Sequence, residues 1–184
     1  MFHPFSSCWL RALEGMTHER SRRDRETRRT QGYGLLDTPN EPEFDAIVRE
    51  AARELKSPIA LISLIDETRS WFKAKVGLDA SETPRSISFC THLLRGPEVL
   101  MVEDLSADAR FVENPLVANA PSARFYAGVP LLTGTGRRIG TLCVVDFKAH
   151  HDVGERETSV LTALAAKTMK AMDARRARRA RAAG

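Results

Sequence analysis

The stretch PIALISLIDETRSWFKAKVGLD, residues 58–79, decides the fold. Its first part, Ile59 to Ile65, is an unbroken apolar run ending at Asp66, which reads as a central strand covered on both faces. After a short polar turn, Glu67 to Ser70, the pattern changes to alternation. Phe72, Ala74 and Val76 are expected on one face, with Trp71, Lys73 and Lys75 on the other. Two such runs with so short a connection make a hairpin, and Gly77 ends it.

Just upstream, Phe44, Ile47, Val48, Ala51, Ala52 and Leu55 recur at helical spacing and form one continuous apolar face. Asn40 is expected to cap this helix, with Glu43 as its capping-box partner, Pro42 in the first turn and Pro58 closing it. That face has to be buried, and the sheet is the surface to receive it. Downstream, residues 78–98 are an irregular excursion with a short helix expected near Ser88 to Leu94. A strand follows at Val99 to Val102, then a long loop rich in Ser, Asp, Asn and Pro from Asp104 to Pro121. Two further strands, Phe125 to Leu132 and Ile139 to Phe147, are joined across Thr133 to Arg138. The last element is a long helix from Gly154 to about Arg179. Its Leu161, Leu164, Thr168 and Ala171 are expected to pack in the core for two turns, with a dimer contact beyond Thr168. The result is an α/β chain, α+β in detail: an antiparallel sheet with helices packed on it. No GxGxxG, P-loop or GxSxG motif is present.

The length of 184 residues suits one domain plus appendages, and such a chain buries enough surface to need no disulfide or metal. Cys8, Cys90 and Cys143 are widely spaced and odd in number, which argues against a disulfide framework or zinc site and favours a reducing, cytoplasmic setting. No run is long and apolar enough for a membrane span, and Met1 to Leu13 is a poor signal peptide. The polar sequence after Met16 reads as a more natural beginning than Met1. Charge is uneven: residues 1–31 carry a net +3, residues 167–184 a net +6 and the remainder a net −5. The basic character belongs to the ends, so it does not argue for a nucleic-acid-binding domain.

LLDTPNEPEFD (35–45), PIALISLIDETRSWFKAKVGLD (58–79) and ETPRSISFCTHLL (82–94) resemble GAF domains found at the front of bacterial sensor kinases and cyclic-nucleotide-signalling enzymes. The likeness continues through DARFVENPLV (108–117), RFYAGVPL (124–131) and GTLCVVD (140–146). This resemblance implies a six-stranded antiparallel sheet, with the terminal helices on one face and a pocket enclosed by loops and a short helix on the other. It divides the chain into a polar basic extension, 1–32, a GAF domain, 33–175, and a basic tail, 176–184. It further implies a stand-alone sensory domain that binds a small molecule and relays the change to a separate signalling partner. Homodimers through the terminal helices, no membrane contact and no nucleic-acid role complete the expectation.

The pocket residues the resemblance implies are Phe89, Cys90 and His92 from the short helix, with Asp104, Phe111, Asn114, Arg124 and Tyr126 from the long loop and the strand after it. Aromatic walls with a few polar anchors are the usual make-up of a small-molecule site. Cys90 near a helix start, with His92 close by, has a setting that could activate its thiol; equally it is a small buried hydrophobe. Bilin-binding relatives have an adjacent Cys-His pair, and here Thr91 intervenes, so no cofactor is assigned. A free methionine sulfoxide reductase of the same fold, with Cys90 as nucleophile, is the enzymatic alternative. Against it stand Cys8 in the leader and Cys143 among apolar strand neighbours. A ligand-free dimerisation scaffold is the third reading.

Overall fold

The computed structural model describes residues 33–94, 96–182 and 184. The expectations for Cys8 and for the polar basic extension, 1–32, lie outside them.

Helix α1 is Pro42–Glu54, and strands β1 and β2 are Ile59–Ile65 and Arg69–Val76. The excursion holds a short strand β3, Glu82–Pro84, and two consecutive 3₁₀ turns, Arg85–Ile87 and Phe89–Leu93. Strand β4 is Leu100–Val102, and a one-turn helix α2, Pro115–Ala118, sits inside the long loop. Strands β5, Phe125–Leu132, and β6, Arg138–Asp146, precede the long helix α3, Glu155–Ala182. The six strands form one sheet in the order β3-β2-β1-β6-β5-β4, every neighbouring pair antiparallel. No helix among the described residues is long and apolar enough to cross a membrane.

The sheet separates two cores. On one face Phe44, Ile47, Val48 and Ala51 of α1 and Leu161, Leu164, Met169 and Met172 of α3 cover Ile62, Leu64, Phe125 and Val144. On the other, the excursion and the long loop cover Leu61, Phe72, Tyr126, Cys143 and Val145. Every residue of β1 is buried because β1 lies between β2 and β6 with both faces covered, which is why its sequence does not alternate.

Three local expectations are corrected. The first is the cap of α1. Its N-cap residue is Glu41, which makes no side-chain cap hydrogen bond. The Glu41 carboxylate turns instead to Lys73 and Arg175, while Glu43 pairs with Arg178. The second is the alternation of β2. Ile62 pairs with Ala74 and Ser63 with Phe72, so Lys73 occupies a bulge. One extra residue reverses the faces: Trp71 and Ala74 join the helix-side core and Phe72 the opposite one. Lys73 is wholly buried, its ammonium held by Thr38 Oγ1 at 3.0 Å, the Pro39 carbonyl at 2.7 Å and Glu41 Oε1 at 2.7 Å. A buried ammonium needs all of these acceptors. The third is the depth of the core stripe of α3, expected for two turns: it continues in the chain's own core beyond Thr168, through Met169 and Met172. Past it, Arg175 and Arg179 both donate to the Gly34 carbonyl.

Candidate functional site

On the pocket face a cavity of about 30 Å³ lies between the sheet and the two 3₁₀ turns. Its floor is Leu61, Phe72, Tyr126, Cys143 and Val145, and its roof is Ser88, Phe89 and Cys90. The volume suits one or two water-sized molecules and no more. Three contacts fix the roof. Asn114 Nδ2 donates to the Ile87 carbonyl at 2.9 Å, and Ser88 Oγ donates to Ser70 Oγ at 3.0 Å. Arg138 of β6 donates to the carbonyls of Leu93, Gly96 and Pro97 at 2.6, 2.8 and 3.0 Å. The same Asn114 caps α2 by accepting from Leu116 N–H, so one side chain ties the long loop to the roof.

Of the eight residues expected at the pocket, Phe89, Cys90 and Tyr126 line the cavity. Phe111 is fully buried and packs edge-on against Phe89, with ring centroids 5.5 Å apart. His92 lies on the outer side of the roof, exposed, 4.8 Å from the Phe111 ring. Partial burial and the nearby Arg110 guanidinium hold its pKa below the ordinary value of 6.5. Asp104 accepts from the Ser106 amide and hydroxyl, and Arg124 donates to the Val117 and Ala123 carbonyls. These two order the loop and do not face the cavity. Asp108 and Arg110 pair with each other.

The chemistry of the cavity centres on two thiols. Cys90 Sγ lies 3.6 Å from Cys143 Sγ, and the Tyr126 hydroxyl donates to Cys90 Sγ across 3.6 Å. The expectation that Cys143 is poorly placed is therefore corrected: β6 carries it to the floor directly beneath the roof cysteine. His92 is not the partner of the Cys90 thiol. The Cys143 contact favours the Cys90 thiolate against the opposing effect of burial, and Thr141, Tyr126 and Ser88 act in the same sense. The same contact, together with burial, raises Cys143, so the pair is asymmetric with Cys90 the more acidic. Burial and the two sulfurs also raise Tyr126. Tyr126 reaches this position because Gly128, opposite Cys143 in the ladder, has no side chain: a Cβ there would stand 2.6 Å from the Tyr126 hydroxyl. Sequence spacing could not reveal the thiol pair. The available signal was the period-2 register that puts Cys143 on the face opposite Leu142 and Val144.

A single antiparallel sheet with terminal helices on one face and a roofed cavity on the other defines a sensory-domain architecture. The chain belongs to the GAF domain family, which it matches over residues 40–172. It is 42% identical over 132 residues to the cyclic di-GMP phosphodiesterase PA2567 of Pseudomonas aeruginosa, a match that covers 72% of this chain and 22% of that protein. The chain thus spans about a fifth of the length of that curated relative. Its structure is similar to the GAF domain of the Acinetobacter phosphoenolpyruvate-protein phosphotransferase, with TM-score 0.60, 22% identity, and coverage of 82% of this chain and 93% of that one. It is also similar to the free methionine-R-sulfoxide reductase of Neisseria meningitidis, with TM-score 0.59, 18% identity, and coverage of 80% and 87%. At these identities the structural likeness is one of fold.

Proposed function

We propose that this chain is a sensory module that takes up a small molecule on its pocket face and relays the change through α1 and α3 to a signalling partner. The observation that carries the reading is the junction of Phe72 and Lys73 in β2. Phe72 lines the cavity, and the next residue, Lys73, projects from the bulge to the other side of the sheet. There Lys73 Nζ and Arg175 Nε each lie 2.7 Å from Glu41 Oε1, which joins β2, the start of α1 and the far end of α3. A ligand larger than the cavity lifts the roof or displaces Phe72, and either motion bears on the backbone that carries Lys73. Such a relay operates only for a ligand with different affinity for two arrangements of the helices.

The relative that hydrolyses cyclic di-GMP supports an output on an enzyme of that signalling class, in the same chain or in a separate one. The reading also carries a cytoplasmic site of action and a homodimer through the terminal helices. Light scattering on the eluting protein tests the latter, and a monomer at every concentration overturns it. Turnover of free methionine sulfoxide is the weaker reading, because among the described residues no charged side chain lines the cavity to pair with an amino acid's ammonium or carboxylate. A Cys90-dependent, dithiothreitol-driven loss of methionine sulfoxide is the result that would reverse this.

The first experiment is native mass spectrometry of protein purified from its own host, against the same sample denatured. A reproducible extra mass lost on unfolding identifies the ligand. Amide exchange with and without that compound is then expected to change in α3, and Lys73→Met is expected to bind it without that change. Unchanged exchange in α3 at saturation would sink the relay.

A further inference from the structure

We propose that Cys90 and Cys143 form a peroxide-reactive dithiol, and that oxidation closes a disulfide which staples the roof of the pocket to β6. The inference stands apart from ligand sensing, since a chain that binds no organic ligand would still undergo it. Three observations carry it. The sulfurs are 3.6 Å apart although 53 residues separate them in sequence. Both line a cavity that holds one or two water-sized molecules, a size that hydrogen peroxide matches. Beside them the Tyr126 hydroxyl, which lines the same cavity, donates to Cys90 Sγ across 3.6 Å and puts a polar group at the reacting sulfur.

The chemistry balances with hydrogen peroxide as the oxidant. The Cys90 thiolate attacks one peroxide oxygen, an S–O bond forms and the O–O bond breaks. The departing hydroxide takes the proton of the Cys143 thiol and leaves as water. The Cys143 thiolate then attacks the Cys90 sulfur, forming the S–S bond and breaking the S–O bond. The displaced hydroxide takes up the proton released when Cys90 ionised. Two thiols lose two electrons and peroxide becomes two waters. Cys90 is the attacking sulfur because its neighbours favour its thiolate, whereas burial and Cys90 itself hold Cys143 protonated. Closing the bond draws the sulfurs from 3.6 Å to the roughly 2.05 Å of a disulfide. The bond ties the roof turn Phe89–Leu93 covalently to β6 across the cavity.

The test uses the full chain carrying Cys8→Ser, which leaves Cys90 and Cys143 as its cysteines. After graded hydrogen peroxide the protein is denatured, alkylated and weighed intact. The expected product has lost the mass of two hydrogens, carries no alkylated thiol, stays monomeric under denaturing conditions and reverts with dithiothreitol. Cumene hydroperoxide is expected to be on the order of ten-fold slower, because it does not fit the cavity. In Cys143→Ala the reaction is expected to stop at a Cys90 sulfenic acid, trapped by dimedone when the oxidised protein is denatured in its presence, with thermal melting confirming that the variant is folded. Both thiols still alkylatable at peroxide doses that consume free N-acetylcysteine in the same tube would overturn the proposal. So would sulfinic acid at Cys90 with Cys143 untouched, or equal rates with the two peroxides.

Discussion

At the scale of single residues, the pocket is decided by what Tyr126 is allowed to do. Its ring is completely buried and lies across Gly128, and the hydroxyl reaches Cys90. Gly128→Ala would place a methyl 2.6 Å from that hydroxyl and 3.0 Å from Cys143 Cβ, with no solvent for the ring to move into. Overpacking of this kind costs about 1–3 kcal/mol. The expected outcome is a lower urea midpoint at unchanged slope, and a stability equal to the parent's would show that Tyr126 has room the structure does not reveal. Residue-scale legibility was uneven. Phe89, Cys90 and Tyr126 were readable as pocket residues because a family resemblance placed them. Asp104, Asn114 and Arg124 look identical in sequence to ligand anchors, yet their polar atoms go to Ser106, to Leu116 and Ile87, and to Val117 and Ala123. Polar loop residues satisfy their own backbone first, and spacing does not say which will.

At the scale of elements, the bulge in β2 and the cap of α1 are one feature. Lys73 is buried with no exposed side-chain surface, while Glu41 keeps 28% of its own. Removing the acid therefore strands a buried cation, whereas removing the lysine leaves Glu41 with Arg175 and solvent. Glu41→Gln is expected to cost roughly 1–3 kcal/mol and Lys73→Met less than that. Chemical denaturation of the two variants decides the order, and the reverse ranking would mean the ammonium is not desolvated. Burial alone would raise the Glu41 pKa, but hydrogen bonds from Lys73 and Arg175 outweigh it and hold it below the ordinary 4.5. Asp66 likewise resists burial through the Thr68 and Arg69 amides and the Arg69 guanidinium, and sits below 3.8. Both are depressed acids, so the stability they contribute is complete above about pH 4.5 and is lost as pH falls through their native values. Thermal melts from neutral to acid pH should therefore fall more steeply in the parent than in Glu41→Gln; parallel curves would refute the Glu41 contribution.

At the scale of the whole molecule, α3 is both core and connector. Its Thr168, Met169 and Met172 are buried with α1 and β5, and its later arginines reach back to Gly34, Glu41 and Glu43. A chain stopped after Asp173 keeps the buried residues and is expected to fold with a lowered melting temperature. One stopped after Ala165 loses two large apolar core side chains, Met169 and Met172, and is expected to lose cooperative unfolding, since each such group contributes about 2–5 kcal/mol against a marginal total. Circular dichroism melts of the two truncations check this, and a cooperative transition in the shorter one would show that the sheet and α1 suffice.

The order of the longer elements, the apolar face of α1, the buried central β1 and the pairing of β1 with β2 were determined by sequence alone, whereas the short β3 and α2 were not. Each rests on periodicity within a dozen residues, and periodicity reports directly which face is dry. Tertiary structure decided the rest. The bulge sets Lys73 and Ala74 on the same face of β2, and Glu41, Thr38 and Pro39 hold the ammonium buried there. The Cys90–Cys143 pair exists because one sheet and one roof turn bring together residues 53 apart. Neither leaves a mark in local spacing, because the energy that selects each comes from partners that only the folded chain brings near.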